Sequence, residues 1–229
     1  VFAYIAATSP KFDPKELYTR EQTILYDAQG KSFATLGTEK REKVAYNQLP
    51  QVLVDAIVAT EDSRFFQHNG FDLPRFIKAS LGQATGNSSA GGASTLDMQI
   101  AKNAFTSTEK SVLRKLTDIY ISVFKIERKY SKEEVFEFYV NTPFLGSNSY
   151  GVQQASRTYF GKDVGQLTLP EAAVIAGLFQ SPSAYNPLSY PDRAEKRRTT
   201  VLLLMERHGY ITKEERIMAE SIKVSDLLV

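Results

Sequence analysis

The chain has 229 residues, of which 42% are hydrophobic and 24% are charged, with a net charge of +2 and no cysteine. These values argue for a folded globular chain and exclude disulfide frameworks, thiol nucleophiles and cysteine-based metal sites. The charge is too small to indicate nucleic-acid binding, so we expect no nucleic-acid partner.

The N-terminal stretch VFAYIAAT leaves three interpretations open. It fits the remainder of a segment removed upstream, a short buried strand or helix, or the sequence that follows a cleaved signal peptide. No apolar run approaches the roughly 18–20 residues that a membrane-spanning helix needs.

Residues 22–48 carry short β-branched and aromatic runs, which predict two or three antiparallel strands. Beyond Pro50 the pattern is helical. The glycine- and serine-rich stretch 82–92 predicts a mobile loop, and Gly209 is expected to end a helix that covers RAEKRRTTVLLLMERH. Capping boxes predict four further helix starts. They pair Ser94 with Asp97, Ser131 with Glu134, Thr168 with Glu171 and Thr212 with Glu215.

The segment ATEDSRFFQHNG ends an apolar helix in two adjacent carboxylates. Leu53, Ile57 and Glu61 lie at i, i+4 and i+8, so Glu61 continues the stripe that faces the interior. A carboxylate among apolar neighbours has a raised pKa, which suits proton transfer. Asp62 points about 100° away around the helix and is placed to orient His68. The alternative is a frayed helix end with Glu61 in solvent.

The segment AGGASTLDMQIAKN combines a glycine-rich turn with a helix start, which is typical of an anion site. Thr95, Gln99 and Lys102 then share one helix face. An ordinary solvated polar face explains the same pattern.

In the next helix, VLRKLTDIYISVFKIE, Arg114 and Asp118 share a face beside Lys115. Two cations near an anion-binding turn indicate a phosphate-bearing substrate. The alternative is a surface ion pair that contributes a few tenths of a kcal/mol.

Together these motifs resemble the peptidoglycan glycosyltransferases of family 51, found in class A penicillin-binding proteins and monofunctional transglycosylases. The match covers roughly residues 20 to 215. The pattern E-D-x-x-F-x-x-H-x-G is met by Glu61, Asp62, Phe65, His68 and Gly70. The pattern G-[GA]-S-T-[IL]-T-x-Q-x-x-K-N is met by Gly92 or Ala93, Ser94, Thr95, Leu96, Gln99, Lys102 and Asn103, and R-K-x-x-E appears as Arg114, Lys115 and Asp118.

The resemblance implies a mainly α fold, with a λ-lysozyme-like helical head, a small membrane-facing jaw lobe and a short N-terminal β element. It implies a membrane-proximal segment at 1–20, a glycosyltransferase domain at 21–218, and at 219–229 the start of a linker to a transpeptidase domain. The implied reaction polymerises lipid II into β-1,4-linked glycan strands, with inversion and release of undecaprenyl pyrophosphate. The family acts in cell-wall biogenesis and cell shape, and is a moenomycin target.

The resemblance also implies residue roles. Glu61 is the general base and Asp118 the second catalytic acid. A divalent cation, Mg²⁺ or Mn²⁺, would bind at Asp118. The remaining implied substrate-binding residues are Asp62, Arg64, His68, Ser94, Thr95, Gln99, Lys102, Asn103, Arg114 and Lys115. Of these, Asp62 and His68 are expected to hold the shape of the motif.

Four departures from the family pattern bear on these roles. Asp118 stands where Glu is usual. The spacing from Arg114 to Glu127 is one residue longer than usual, and we place the extra residue after Asp118. Asp97 stands where Thr is common, and either closes a capping box with Ser94 or helps to hold a metal. Met98 replaces a common Gln and is expected to pack.

The same motifs leave two other functions open. One is a lysozyme-like muramidase or lytic transglycosylase, which also uses one Glu in a helical cleft. The other is a family member that binds lipid II with little catalysis.

Membrane contact is expected on the outer face of the bacterial cytoplasmic membrane, with lipid II, the nascent glycan strand and divisome or elongasome proteins as partners. The segment FDLPRFIKASLG suits an interfacial helix, and a core helix is the alternative.

Overall fold

The computed structural model describes residues 2–19, 23–26, 32–36, 42–84, 92–105 and 112–229, and this part of the chain is mainly helical, as predicted. Its α-helices are α1 Phe2–Thr8, α2 Pro14–Thr19, α3 Gln51–Glu61, α4 Leu73–Ala84, α5 Leu96–Ala104, α6 Val112–Ile121, α7 Lys132–Asn141, α8 Val152–Phe160, α9 Leu169–Leu178, α10 Pro191–Arg207 and α11 Lys213–Ser221.

The short N-terminal β element is also present. Strands β1 (Thr23–Tyr26) and β2 (Ser32–Leu36) pair antiparallel. The described residues between β2 and position 48 contain no third strand, and the chain makes a 3₁₀ turn at Tyr46–Gln48. The Tyr46 N–H donates to Glu137 on α7 (2.7 Å). This segment is therefore tied to a helix instead of a strand.

Helix α9 forms the centre of the core. It is buried over its whole length after Leu169 and has no polar face, which is typical of a helix surrounded by protein. Helices α3 and α10 pack against α9 and against each other. Leu53, Ile57 and Leu202 are fully buried in this contact. The packing brings the end of α3 close to residues of α10.

Three of the four predicted capping boxes are confirmed. Helices α7, α9 and α11 begin after Ser131, Thr168 and Thr212, and in each the glutamate three residues later accepts from the backbone N–H of the capping residue. Gly209 follows α10 with a φ of +78°, the left-handed conformation expected at a helix end.

A π-helical segment, Ser122–Ile126, directly follows α6. The Glu127 N–H donates to the Ser122 carbonyl five residues earlier (3.0 Å). Such a turn accommodates one extra residue within a helix. This segment lies after Asp118, the side on which we placed the extra residue before Glu127.

Helix α1 lies against α6, with the Phe2 ring 5.5 Å from Tyr120 and 5.8 Å from Phe124 between centroids. Among the described residues, none of the helices has the length and apolar character needed to cross a membrane. Helix α4 continues to Ala84, and the rest of the predicted mobile loop, residues 85–91, lies outside the described residues.

Candidate active site

Glu61 is held in place at the end of α3. Its side chain is 14% exposed, and its Oε2 accepts from Gln99 Nε2 at 3.4 Å. Arg197 Nη2 lies 3.7 Å from Oε1. The alternative interpretation, a frayed helix end with Glu61 in solvent, is therefore wrong, because the carboxylate is covered and each of its oxygens is contacted.

Burial raises the pKa of the Glu61 carboxyl, as predicted. The Gln99 amide and the cations Arg197 and Arg75 oppose this effect without reversing it. A raised pKa brings a carboxyl closer to the range that suits a general base at neutral pH.

Asp62 joins three parts of the fold. Its Oδ2 accepts from His68 Nε2 (2.8 Å) and from the Leu96 N–H (3.0 Å), and its Oδ1 from Arg75 Nη1 (3.3 Å). The Gly70 N–H donates to His68 Nδ1 (3.1 Å), so the imidazole carries its proton on Nε2. The predicted orienting of His68 by Asp62 is confirmed.

A cluster of Asp62, His68 and Asp97 brings potential metal-binding atoms within 4.8 Å of one another. However, both imidazole nitrogens of His68 and both oxygens of Asp62 take part in the hydrogen bonds above. A metal would have to displace them. Asp62 and His68 therefore belong to a hydrogen-bonded network, and the cluster does not fit a metal site.

The predicted capping box of Ser94 with Asp97 is wrong. Thr95 is the N-cap of α5: its hydroxyl accepts from the Met98 N–H (3.2 Å) and donates to the Gly70 carbonyl (2.8 Å). The bond to Gly70 sets the helix start one residue later than expected. Because Thr95 is fully buried, its assignment as a substrate donor has no support in this geometry.

Asp97 lies in the first turn of α5, fully buried, and neither carboxyl oxygen has a hydrogen-bond partner among the described residues. Burial, and next the charge of Glu127, hold its pKa well above the ordinary value. Glu127 is itself ion-paired with Lys132. Met98 is buried, as expected for a packing residue.

Gln99 connects Glu61 to the core. Its Oε1 accepts from the Tyr139 hydroxyl (3.1 Å), and the Tyr139 ring stacks on Phe179 at 4.8 Å between centroids. Sequence patterns missed Tyr139, Arg75 and Arg197, since these contacts join separate helices and leave no local spacing to detect.

Arg114 and Asp118 form a second cluster. Arg114 Nε donates to Asp118 Oδ1 (2.9 Å), and its Nη2 to the carbonyls of Lys102 (3.2 Å) and Phe105 (3.1 Å). Both side chains are largely covered, at 14% and 11% exposure. The alternative interpretation as an exposed surface ion pair is therefore wrong. Burial raises the pKa of Asp118, while Arg114, Lys102 and Lys115 lower it.

The remaining predicted residues lie nearer the surface. Lys102, Asn103 and Lys115 are exposed and Ser94 is half-buried. Arg64 Nε lies 3.7 Å from Asp72 Oδ2. The structure thus brings Glu61, Asp62, His68, Thr95 and Gln99 into one connected group, and places Asp118 with Lys102, Arg114 and Lys115.

The family model described as Transglycosylase matches residues 29–206. The chain is 38% identical over 226 residues to penicillin-binding protein 1A/1B of Bacillus subtilis, covering 98% of this chain and 25% of the relative. It is 44% identical over 192 residues to penicillin-binding protein 1A of Escherichia coli, covering 83% of this chain and 22% of the relative.

Among solved structures, the crystal structure of penicillin-binding protein 1A from Haemophilus influenzae matches with a TM-score of 0.50 and 30% identity, over 89% of this chain and 20% of that one. The chain thus spans a quarter or less of the length of these relatives. Since the family match covers most of the chain and includes both clusters described above, the chain belongs to the transglycosylase family.

Proposed function

We propose that the chain is a peptidoglycan glycosyltransferase domain that polymerises lipid II into β-1,4-linked glycan strands. The observation that carries this proposal is a covered carboxylate of raised pKa, Glu61, which contacts Gln99 on α5 one helix turn before Lys102. Gln99 contacts Glu61, and Lys102 follows three residues later on α5, where Arg114 binds its carbonyl. Family membership supports the same reaction.

In this reaction Glu61 takes the proton from the 4-hydroxyl of the acceptor GlcNAc. The hydroxyl oxygen bonds to the donor's anomeric carbon as the bond from that carbon to the pyrophosphate oxygen breaks. Inversion turns the α-linked donor into a β-1,4 bond, and undecaprenyl pyrophosphate leaves. Lys102, Arg114 and Lys115 are placed to stabilise the charge on the leaving group.

Asp118 is proposed as the second catalytic acid, beside the leaving group. As a single carboxylate among three cations it fits a divalent ion only together with substrate phosphate oxygens. Bound there, Mg²⁺ or Mn²⁺ would supply further neutralisation of the pyrophosphate.

The domain is proposed to comprise residues 21–218, with head and jaw lobes, between a membrane-proximal segment (1–20) and the start of a linker (219–229). We place it at the outer face of the cytoplasmic membrane, where its donor lipid would be held. Divisome or elongasome proteins are the proposed protein partners, on the basis of the family alone.

Lipid II turnover with and without Mg²⁺ tests the proposal, with products resolved by length on a gel. The unaltered chain should form glycan strands, and Glu61→Gln should lower the rate about 10²-fold or more, the usual contribution of a general base. Asp118→Asn should cause a matching loss, whereas Glu214→Gln, an exposed glutamate on α11, should not change the rate.

Two outcomes would contradict the proposal. Shortening of a preformed glycan, with no consumption of lipid II, would identify a lytic enzyme. Binding of lipid II without strand formation would identify a non-catalytic lipid II-binding protein.

A further inference from the structure

We propose that Arg197 on α10 is a positioning residue for the Glu61 carboxylate. This inference rests on the proposed function, in which Glu61 is the general base. The three motifs that indicated the function do not include Arg197, which lies far from them in the sequence.

The Arg197 side chain is itself held in place. Its Nε donates to the carbonyl of Gly177 on α9 (3.3 Å), and its guanidinium lies 5.7 Å from the centroid of the Tyr185 ring. A Cβ added at Gly177 would come within 2.8 Å of Arg197 Cγ. A residue without a side chain at position 177 therefore lets the arginine pass over α9 towards Glu61.

The Glu61 carboxylate is thus contacted on both oxygens, by a neutral amide from α5 and a cation from α10. The distance of 3.7 Å between Arg197 Nη2 and Oε1 is longer than a hydrogen bond. Oε1 therefore keeps its lone pairs for an incoming hydroxyl, while the nearby cation stabilises the ionised form.

Other charged or titratable groups that act on Glu61 are Asp62, Arg75 and Tyr139. Arg75 is bonded to Asp62, and burial keeps the pKa of Tyr139 well above its ordinary value, so Tyr139 is neutral. Arg197 is the cation that ion-pairs with Glu61 in the described part of the chain, and it opposes the effect of burial on the pKa of Glu61.

The neighbours of Arg197 in the sequence have different surroundings. Arg198 is fully buried and donates to the Ile222 carbonyl (2.6 Å), which ties α10 to the C-terminal segment. Lys196 is exposed. Lys196→Gln is therefore a matched control that removes one positive charge from the same helix.

The test is the pH dependence of kcat/KM for lipid II, which reports the pKa of the free enzyme's base. On the acid side of this profile kcat/KM falls as Glu61 becomes protonated. Arg197→Gln removes the cation that favours the ionised form, so this fall should begin at a higher pH. A displacement of about one pH unit lowers kcat/KM about tenfold at acidic pH, whereas at alkaline pH kcat/KM returns to the value of the unaltered protein. Arg197→Lys should restore part of the activity, and Lys196→Gln should leave the profile unchanged.

A second variant and a second measurement keep the test decisive if Arg197→Gln misfolds or the chain does not turn over lipid II. Gly177→Ala retains Arg197 but displaces its stem, and should move the limb in the same direction. NMR titration of the Glu61 carboxyl carbon in the substrate-free full chain should give a higher pKa in Arg197→Gln than in the unaltered protein.

An equal loss of activity at every pH, or an unchanged Glu61 titration, would overturn the role of Arg197. If the unaltered chain makes no glycan from lipid II, the proposed function fails instead. The titration would still report whether Arg197 acts on Glu61.

Discussion

At the scale of single residues, Glu61 and Asp62 are adjacent in the chain but have opposite surroundings. Asp62 is fully buried and accepts three hydrogen bonds, whereas Glu61 remains partly exposed between Gln99 and Arg197. A rotation of about 100° per residue at the helix end produces this difference. One carboxylate therefore holds the loop that follows α3, and the other is available for chemistry.

Asp97 is a third carboxylate in this region, and its burial lowers the stability of the folded protein when the carboxyl has to ionise. Its raised pKa means that the folded protein binds a proton more tightly there than the unfolded chain does. The stability of the protein should therefore fall as pH rises above the ordinary aspartate value. The neighbouring Glu127 increases this effect.

Asp97→Asn should remove this cost, because an amide can donate to Glu127 without ionising. Thermal unfolding at several pH values should show little difference near the ordinary aspartate pKa and a variant more stable by about 1–2 kcal/mol at neutral pH. Asp192→Asn, at an exposed position, is the matched control for the same change of side chain. A variant less stable at neutral pH would contradict the argument.

At the scale of elements, Gly70 joins the loop after α3 to the π-helical segment. Its φ is +84°, and a Cβ there would lie 2.8 Å from the backbone carbon and oxygen of Ser122. Its carbonyl also accepts from Thr95. The glycine of the first motif is thus required by contacts with two other helical elements, in addition to its own conformation.

Gly70→Ala should destabilise the protein by about 3 kcal/mol, since strain at positive φ adds to a backbone clash. Two matched glycines separate these effects. Gly209 has a φ of +78° but nothing near its Cβ position, so Gly209→Ala should cost about 1 kcal/mol. Gly92 has neither constraint, and Gly92→Ala should be nearly neutral. Denaturant unfolding measures the free energy of unfolding of the three variants. Equal losses of stability in Gly70→Ala and Gly209→Ala would show that the contact with the Ser122 backbone contributes nothing.

At the scale of the whole molecule, apolar side chains project from α4 and α6. Leu73, Ile77 and Leu81 on α4 are 54%, 49% and 62% exposed, and Val112 on α6 is 79% exposed. Lys115 on α6 lies over the Phe76 ring of α4. The alternative that α4 is a core helix is therefore wrong. Its exposed apolar stripe fits a helix that lies at a membrane interface, and we call this stripe the outer apolar surface.

Replacing Leu73, Ile77 and Leu81 together by Ser should lower binding to anionic lipid vesicles by about tenfold or more, because the apolar area available for insertion is lost. Flotation at low salt measures this. Ile217 and Met218 on α11, at 50% and 71% exposure, provide a control pair whose replacement by Ser should have no effect. If the unaltered chain does not bind vesicles at low salt, membrane contact through this surface is excluded.

Local sequence determined the features that depend on residues within one or two helix turns. Three capping boxes, the buried stripe that ends at Glu61 and the orienting of His68 all follow from short spacings. Such spacings suffice because hydrogen bonds and side-chain directions within a helix are set by its 3.6-residue period.

Only the tertiary structure decided the features that depend on contacts between elements. Thr95 replaced Ser94 as the cap of α5 because its hydroxyl reaches Gly70. Arg197 reached Glu61 because α10 and α3 pack on α9, and the α4 stripe remained exposed because no described helix covers it. The residue types were visible in the sequence, but their partners follow from how the helices pack, which no local periodicity encodes.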